Sequence, residues 1–507
     1  MGPGGRPGLL AAALLAAAAY FIVGAFYAER GEANADEGFY AYASYAVMHG
    51  RVPYHDFAYT QTPLLPYVQG AVFSAVGYGV RQERWLNVLW SALGVGLAVC
   101  LWARSGLPAA WSAVLVLAWC LCGALVYFDT IGKTYALSGL LLLGAAACLL
   151  PGWAGPTRRL CALSALCALA AGCRLTSALP AAVLWAGFVF LNRGRVSALM
   201  AAALPLLAAL AILGPFYALD PQNTAFWTWD YHGLSLIPAR RLGTLLESVS
   251  LAPVPAVLGA AGLFAVLGLA RGGAGAADGP RSGPGPWVLA SGLIGWAVPV
   301  FVSGVHAEYA VPSVPLVIVG FGLVLGGARA AGASLRGAAP LCAVGLLSGL
   351  GLLLGPSRIV PGYLDAIDRT AAVIRRESRE NDLVLTGMPE LVLESGRLPF
   401  PRLEMGKFGV TGEMDPATAA ARHILTYGEL REAVASGLPR IVVLYQKSFW
   451  WNFAWSVPGM RLMRSDRYAQ FMDDLLRRYE VVDSNAYFIV YRVRGPAPAA
   501  GLRGPGA

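Results

Sequence analysis

Long apolar runs recur through the first 355 positions of this 507-residue chain, and they constrain its fold more than any other feature. A helix needs about 20 mostly apolar residues to cross the hydrocarbon core of a bilayer. The composition, with 57% hydrophobic and 13% charged residues, excludes a soluble globular protein. The pattern predicts a polytopic α-helical membrane protein with about 11 transmembrane helices. The apolar segments lie at 8–28, 85–103, 109–127, 134–151, 159–173, 176–192, 196–217, 251–270, 287–304, 309–328 and 338–355.

Residues 63–80 form a further apolar segment, but it is short and begins with Pro63 and Pro66. We interpret it as a helix lying in the membrane interface, and a twelfth crossing is the alternative. Charge favours the first interpretation. With the N-terminus in the cytoplasm and eleven crossings, the inner loops are rich in arginine and nearly free of acid, which is the positive-inside pattern. The C-terminal part is then expected outside the membrane.

The composition changes after residue 356. A charged stretch at 365–382 carries the apolar residues Ile367, Ala371 and Ile374 at helical spacing, and buried strands are expected at 383–386 and 441–445. Helices are expected at 427–436 and 466–479, before a closing hairpin around 483–485. This alternation predicts a small α/β domain. The expected domains are a transmembrane catalytic domain at 1–356, with a first external loop at about 29–84, an extracytoplasmic α/β domain at 357–494 and a disordered tail at 495–507.

The net charge of +9 has a simple source. Much of it lies in the inner loops, where it orients the protein and contacts anionic lipids. No Lys/Arg tract interleaved with aromatic residues is present in the sequence, so no nucleic-acid partner is expected. All eight cysteines fall in apolar segments, so the C-terminal domain has no cysteines with which to build a zinc site.

An acidic motif follows the first apolar segment: residues 34–40 read Asn-Ala-Asp-Glu-Gly-Phe-Tyr. One interpretation is structural, since carboxylates favour a helix N-terminus and Asp36 would begin a helix. The other is functional, with Asp36 and Glu37 doing chemistry at the membrane face. The expected helix ends at Gly50, and a polar turn at 51–57 leads into the second interfacial helix. This arrangement favours the functional interpretation.

The first loop resembles that of a known family. Asp-Glu-Gly-x-Tyr, then Gly-x-x-Pro-Tyr-x-Asp and a proline-rich interfacial helix, are similar to the first external loop of family-39-type glycosyltransferases with the GT-C fold. Relatives include protein O-mannosyltransferases and the aminoarabinose transferases that act on lipid A. Weaker similarities are Arg81 and Arg84 before the second crossing, the segment 174–176 and the segment 306–309.

The resemblance implies a membrane enzyme that moves a sugar from a polyprenyl-phosphate-sugar donor to a lipid, glycan or protein acceptor. Transfer is expected on the outer face of a bacterial cell membrane, with inversion at the anomeric carbon. Asp36 is the expected general base for the acceptor hydroxyl, with Glu37 tuning it. Arg84, Arg81 and Arg174 are candidates for binding the donor phosphate, because a guanidinium suits a leaving phosphate.

Other residues near the outer face are candidates for substrate binding, and each also has a structural alternative. Asp129 and Lys133 suit an ion pair, Trp229 suits an aromatic belt, and the segment at 306–308 suits a helix anchor. A divalent metal is an open possibility on Asp36, His55 and Asp56, although a turn in which Asp56 caps the next helix explains the same residues. The substrate-binding candidates are Tyr40, Tyr54, His55, Asp56, Asp129, Lys133, Trp229, His306 and Glu308.

Two other functions stay open. A transporter or lipid flippase would place ionisable groups at mid-membrane and pair interrupted helices in two halves. In this sequence most acids lie at the expected outer ends of the apolar segments, and no matching halves are found. A non-catalytic GT-C relative would use its outer domain to bind a partner, and the intact pair Asp36 and Glu37 argues against that function.

Overall fold

The structure is a computed structural model. It describes residues 6–31, 34, 36–233, 249, 253–272, 283–301, 307–332, 339–353, 359–412, 414–446, 455–456, 461–462 and 465–495. The tail that the sequence predicts to be disordered lies outside these residues from position 496 onward.

The chain forms two compact units, each made from three stretches of sequence. The helical unit contains Met1–Gly31, Arg84–Pro215 and Leu236–Ile359. The mixed unit contains Glu32–Glu83, Phe216–Ser235 and Val360–Ala507. Most of the first external loop therefore belongs to the same unit as the C-terminal α/β region.

Helices dominate the described residues, and each of the eleven predicted apolar segments contains at least one. In chain order the α-helices are α1 (Arg6–Arg30), α2 (Glu37–Met48), α3 (Leu64–Val76), α4 (Val80–Arg104), α5 (Ala109–Cys120), α6 (Gly123–Phe128), α7 (Tyr135–Ala147), α8 (Pro156–Cys173), α9 (Ala178–Leu191), α10 (Ala198–Leu219), α11 (Pro221–Ala225), α12 (Tyr231–Gly233), α13 (Pro253–Gly272), α14 (Pro284–Phe301), α15 (Val314–Ala330), α16 (Ala339–Leu353), α17 (Tyr363–Glu377), α18 (Pro389–Ser395), α19 (Pro416–Ala421), α20 (Tyr427–Ser436) and α21 (Ser465–Arg478).

Within the described residues, four helices are long and apolar enough to cross a membrane, as judged by length and composition: Pro7–Arg30, Val80–Arg104, Ala198–Leu219 and Glu308–Ala330. Other apolar segments are interrupted. The third is divided into α5 and α6, and Arg174 has an extended backbone (φ −153°, ψ 118°) between α8 and the 3₁₀ turn Leu175–Ser177. The predicted fold class is confirmed: the chain is a polytopic α-helical membrane protein with a small C-terminal sheet region.

Close helix packing positions the short 3₁₀ helix Ala307–Ser313 in the helical unit. A β-carbon on Gly320 of α15 would collide with the backbone of Leu289 in α14, so glycine lets these helices approach closely. The 3₁₀ helix leads into α15 and packs against α7 and α14. Glu308 and Tyr309 are thereby held beside the residues that begin α7.

The C-terminal region of the mixed unit is built on a five-stranded sheet with the order β2-β1-β5-β9-β8. Strands β2, β1 and β5 are parallel, whereas β9 is antiparallel to both of its neighbours. The predicted strands, the closing hairpin and the helices α20 and α21 are confirmed. The strands are β1 (Leu383–Thr386), β2 (Leu398–Pro399), β3 (Val410–Thr411), β4 (Leu425–Thr426), β5 (Ile441–Tyr445), β6 (Trp455–Ser456), β7 (Arg461–Leu462), β8 (Tyr479–Ser484) and β9 (Phe488–Val493).

The two helices predicted in the first external loop, α2 and α3, pack against each other within the mixed unit. The Ser44 hydroxyl donates a hydrogen bond to Gln69 Oε1 at 2.7 Å in a buried contact. Gly70 permits the approach, because a β-carbon there would lie only 2.8 Å from the Ser44 carbonyl oxygen. This pairing fixes α2, whose first turn carries the acidic motif.

Candidate active site

The acidic motif forms the entry to α2, with Asp36 at the N-cap and Glu37 as the first helical residue. Glu37 Oε2 accepts a hydrogen bond from the Asn34 amide at 3.1 Å. The Asn34 side-chain oxygen in turn accepts one from the Asp36 amide at 3.1 Å. These two bonds hold the entering chain against the helix end and fix the backbone on which Asp36 stands.

Asp36 and Glu37 have different surroundings. Although Asp36 occupies the N-cap position, its side chain accepts no capping hydrogen bond from the amides of α2, a helix that is described throughout. The Asp36 side chain is partly exposed, whereas Glu37 is only 3% exposed. The capping interpretation therefore does not explain the Asp36 carboxylate, which lies at the N-terminal, positive end of the α2 dipole.

A third carboxylate, which the sequence analysis missed, lies against the same turn. Glu390 is the second residue of α18 and is 3% exposed. Its carboxylate touches the backbone of Gly38, where a β-carbon would collide with Glu390 Oε2. The Tyr363 hydroxyl donates a hydrogen bond to Glu390 Oε1 at 3.1 Å. Burial, together with the neighbouring charge of Glu37, raises the pKa of Glu390 to about 7.

Lys407 supplies positive charge beside these carboxylates. It is 5% exposed, and its attraction partly opposes the rise in the pKa of Glu390. Its Nζ lies 4.9 Å from the centre of the Phe408 ring, which packs edge-on against Phe39 of α2 at 5.9 Å between centroids. We define the acidic-turn cluster as Glu37, Gly38, Tyr363, Glu390 and Lys407.

A sequence signal for Glu390 does exist, although its partner cannot be read from the chain. Glu390 immediately precedes Leu391-Val392-Leu393 in the first helix after a buried strand. A carboxylate among apolar residues is costly to bury unless it is hydrogen-bonded or paired. The signal therefore predicts a partner, but the contact with α2 joins segments that are far apart in sequence.

The polar turn of the first loop is closed by its own residues. Asp56 Oδ2 accepts a hydrogen bond from the Val52 amide at 2.6 Å, and Arg51 Nη2 donates to the Asp56 carbonyl at 2.8 Å. Arg51 also forms an ion pair with Glu404 Oε1 at 2.8 Å, which ties the turn to the C-terminal region. In the structure Asp56 thus closes its own turn and does not cap the next helix, α3, whose N-cap residue is Pro63.

The metal hypothesis is not supported by the positions of its residues. His55 Nε2 and Asp56 Oδ1 are 3.8 Å apart. Across the described part of the chain, however, no three His, Cys, Asp or Glu side chains are grouped closely enough to hold a metal ion. Asp36 therefore does not complete a site with these two residues, and no metal enters the chemistry proposed below.

The aromatic candidates of the mixed unit differ in exposure. Tyr40 and Tyr54 are buried, and both rings pack near Tyr59 with centroids 6.3 Å away. Trp229 is 54% exposed, and its indole nitrogen donates to the Tyr217 hydroxyl at 2.9 Å. Trp229 and the exposed His55 are thus the accessible members of this group, and His306 lies outside the described residues.

Arg84, a candidate for the donor phosphate, is fully buried in the helical unit. Its Nη1 donates hydrogen bonds to the carbonyl oxygens of Ala28 at 2.9 Å and Gly31 at 3.4 Å, at the C-terminal end of α1. A cation that binds the last carbonyls of a helix stabilises that helix end. The geometry around Arg84 favours this structural role.

Arg81, the second such candidate, belongs to the mixed unit. Its Nη2 lies 3.0 Å from a carboxylate oxygen of Asp365 and 3.2 Å from one of Asp368, both on α17. These are exposed ion pairs, which contribute little to stability individually. They nevertheless give the Arg81 guanidinium two carboxylate partners where a phosphate would otherwise bind.

Arg174, the third candidate, has surroundings that differ from those of Arg81 and Arg84. It is 3% exposed, and its guanidinium lies over the rings of Tyr135 at 4.7 Å and Tyr309 at 4.4 Å. Its Nη1 donates to Thr134 Oγ1 and its Nε to Thr176 Oγ1, both at 3.1 Å. Two aromatic faces and two hydroxyls hold this cation in a fixed plane.

Lys133 and Glu308 form an ion pair close to Arg174. Lys133 Nζ lies 2.6 Å from Glu308 Oε1, and the Tyr135 hydroxyl donates to the same oxygen at 3.1 Å. Asp129 instead accepts a hydrogen bond from the Ser91 hydroxyl at 3.0 Å. Asp129 and Lys133 therefore have different partners, Ser91 and Glu308, and residues 129–134 form an irregular turn rather than a continuous helix.

No protein-family model and no curated protein matches the sequence. Among solved structures, the aminoarabinose transferase ArnT from Cupriavidus metallidurans is similar in two states. Its complex with undecaprenyl phosphate shares 14% identity, with 97% of this chain and 98% of that chain covered and a TM-score of 0.62. The apo state shares 16% identity with the same coverage and TM-score. The chain has the GT-C fold.

A mutant of arabinofuranosyltransferase AftD from Mycobacteria is also similar, at 14% identity and a TM-score of 0.50. The match covers 96% of this chain but 42% of that chain. At identities this low, the structural similarity establishes the fold alone. That fold agrees with the GT-C resemblance of the first loop. The activity has to be argued from the residues of this chain.

Proposed function

We propose that this protein is an inverting membrane glycosyltransferase that uses a polyprenyl-phosphate-linked sugar as donor and Asp36 as general base. The observation that carries the proposal is the position and exposure of the Asp36 carboxylate. In a chain with the GT-C fold, this carboxylate stands at a helix N-cap without capping the helix, and it is partly exposed. Such a group can accept a proton from a bound hydroxyl.

The proposed reaction is a single displacement. The acceptor oxygen bonds to the anomeric carbon while the bond from that carbon to the phosphate oxygen breaks. Asp36 takes the proton of the acceptor hydroxyl, and the electron pair of the broken bond leaves with the polyprenyl phosphate. A positioned general base contributes roughly 10²- to 10⁴-fold to such a step. Because the donor is a membrane lipid, the reaction requires no nucleotide site.

We assign the donor phosphate to Arg174 and Lys133 in the helical unit. An ionisable group between apolar segments is costly and usually functional. Fixed cations also stabilise the charge that grows on a leaving phosphate. Arg174 is held by two rings and two hydroxyls, while Lys133 has Glu308 as an exchangeable anionic partner. The ArnT complex with undecaprenyl phosphate supports this class of lipid as the donor carrier.

The acceptor and the sugar are assigned only by chemical class. The acceptor needs a free hydroxyl on a lipid, glycan or protein outside the cytoplasm. His55 and Trp229 are proposed acceptor contacts because they are exposed, whereas Tyr40 and Tyr54 are buried. The proposed location is a bacterial cell membrane, with the N-terminus in the cytoplasm and the C-terminal region outside.

The proposal is tested by offering purified full-length protein in lipid vesicles a panel of undecaprenyl-phosphate-linked pentoses and hexoses. Envelope lipids and glycans serve as the acceptor pool. Mass spectrometry then measures released undecaprenyl phosphate and the mass added to an acceptor. We expect one donor to give both products in equal amounts. Movement of intact donor across the vesicle membrane without release would support a flippase and overturn the proposal.

A further inference from the structure

We propose that Glu390, supplied by the C-terminal region, is a positioning residue for Asp36. This inference rests on the proposed role of Asp36 as the base and assigns part of the same site to a segment distant in sequence. Glu390 is not placed in contact with substrate. It acts through Glu37 and Gly38, the two residues that follow Asp36.

The first support is the close contact between Gly38 and Glu390. A β-carbon at position 38 would collide with Glu390 Oε2 and would lie 2.8 Å from the Glu390 backbone nitrogen. The helix that begins at Pro389 therefore rests directly on the first turn of α2. This contact explains why the Asp-Glu-Gly motif has glycine at position 38, since glycine alone leaves room for the Glu390 carboxylate.

The second support is a continuous set of contacts from Glu390 to Asp36. Glu390 lies against Gly38, the residue that follows Glu37. The Glu37 carboxylate accepts a hydrogen bond from the Asn34 amide at 3.1 Å. The Asn34 side chain accepts the Asp36 amide at 3.1 Å. A change in the position or charge of Glu390 is thus passed to Glu37, and from there to the backbone that orients Asp36.

The third support is the charge balance of the acidic-turn cluster. Two carboxylates, Glu37 and Glu390, are buried with one ammonium group, that of Lys407, and the Tyr363 hydroxyl. With both carboxylates ionised, one negative charge of the cluster has no compensating ammonium group, and burial together with the charge of Glu37 raises the pKa of Glu390 to about 7. The contacts of the cluster thus stabilise one conformation of the first turn of α2. Glu390 is the member that joins the C-terminal region to that turn.

Glu404 provides a matched control. It is also a largely buried acid of the C-terminal region, and it also pairs with the first loop, through Arg51 at 2.8 Å. Its contact is with the turn at 51–57 rather than with the first turn of α2. Glu404→Gln thus removes a comparable link between the same two segments without touching the acidic-turn cluster.

The test compares wild type, Glu390→Gln, Glu390→Asp and Glu404→Gln as full chains in vesicles, using the donor that wild type accepts. We expect Glu390→Gln to remain folded, with kcat about 10- to 100-fold lower, since small misplacement of a reacting group has effects of this size. KM for the donor should stay within about threefold, because positioning the base is not donor binding. Glu390→Asp should recover part of kcat, and Glu404→Gln should match wild type.

The acid limb of the kcat pH profile should also move in Glu390→Gln, because the carboxylate that faces Glu37, Tyr363 and Lys407 no longer ionises. A merely structural role would lower stability and leave this profile in place. Glu390→Gln protein with wild-type kcat and an unmoved profile would overturn the inference. So would equal losses in Glu390→Gln and Glu404→Gln.

If wild type transfers sugar from none of the donors, the proposed function fails. The effect of Glu390 on the position of residue 36 can then still be measured by chemical labelling. Asp36→Cys is labelled with a membrane-impermeant maleimide in the presence and absence of Glu390→Gln. The inference expects the labelling rate to change severalfold when Glu390 is replaced. Equal rates in the two backgrounds would contradict it.

Discussion

The carboxylate of Glu390 lies against the backbone of Gly38, in the space that a β-carbon at that position would occupy. This contact joins a C-terminal helix to the turn that carries Asp36, within one compact unit. It gives the C-terminal α/β region a physical part in the candidate active site, although none of its residues belongs to the motif that resembles the glycosyltransferases.

Gly38→Ala tests the contact directly. The added methyl group must displace Glu390 or the first turn of α2, and such overpacking typically costs about 1–3 kcal/mol. We expect a lower thermal unfolding midpoint for the detergent-solubilised protein. Gly327→Ala in α15 is the control, since nothing lies within 4 Å of a β-carbon there. That change should be neutral or stabilising, and equal midpoints for both variants would contradict the contact.

Stability should depend on pH through Glu390. Its pKa rises from the ordinary 4.5 to about 7 in the folded protein, mainly because of burial. The folded state therefore binds the proton more tightly than the unfolded state. The stability that this proton gives is complete below about pH 4.5 and is lost as the pH rises through about 7.

The upper limit of this contribution is of order 3 kcal/mol. Glu390→Gln cannot lose a proton, so its unfolding midpoint should fall less than that of wild type between about pH 5 and 8. The measurement is thermal unfolding across that range for both proteins. Parallel curves would show that Glu390 does not titrate there.

Arg174→Lys tests the phosphate assignment. Lysine keeps the charge but cannot lie flat against the Tyr135 and Tyr309 rings as the guanidinium does. We expect about tenfold weaker binding of undecaprenyl phosphate to the purified protein, which corresponds to the loss of roughly 1.4 kcal/mol. Arg193→Lys is the control, because Arg193 is exposed over one ring, that of Phe190. Unchanged affinity in Arg174→Lys would remove Arg174 from the phosphate site.

The orientation of the chain can be tested with two exposed positions. Glu380→Cys lies in the C-terminal region, and Arg158→Cys lies in the first turn of α8, at the end predicted to face the cytoplasm. An impermeant thiol reagent added outside intact cells should label the first variant and not the second, with the unsubstituted chain giving the background. The reverse pattern would overturn the predicted topology.

Much of the fold could be predicted from the sequence because its patterns are local. Apolar runs gave the positions of the membrane helices, and apolar strands next to charged helices predicted the α/β region. The interruptions within the apolar segments could not be predicted from these patterns. The extended backbone at Arg174 follows from no local motif, yet it sets this residue between Tyr135 and Tyr309.

The candidate site could be predicted only in part, since its contacts join distant segments. The sequence singled out Asp36, and the structure separated it from Glu37 by showing which carboxylate is buried and hydrogen-bonded to the entering chain. The guanidinium partners of Arg81 and Arg84 were not readable, because those partners are carboxylates on α17 and backbone carbonyls at the end of α1.

The most direct test of the central claim is the rate of sugar transfer by Asp36→Asn, measured as released undecaprenyl phosphate at saturating donor. The amide keeps the shape of the side chain but cannot accept the proton, so the rate should fall by about 10²- to 10⁴-fold. Asp415→Asn is the control. This exposed aspartate does cap its helix, accepting the Thr418 amide at 3.0 Å, and asparagine caps equally well.

We predict that Asp415→Asn transfers sugar at the wild-type rate and that Asp36→Asn, although folded and inserted in the membrane to the same extent, does not. Transfer by Asp36→Asn at the wild-type rate would contradict the assignment of Asp36 as the general base.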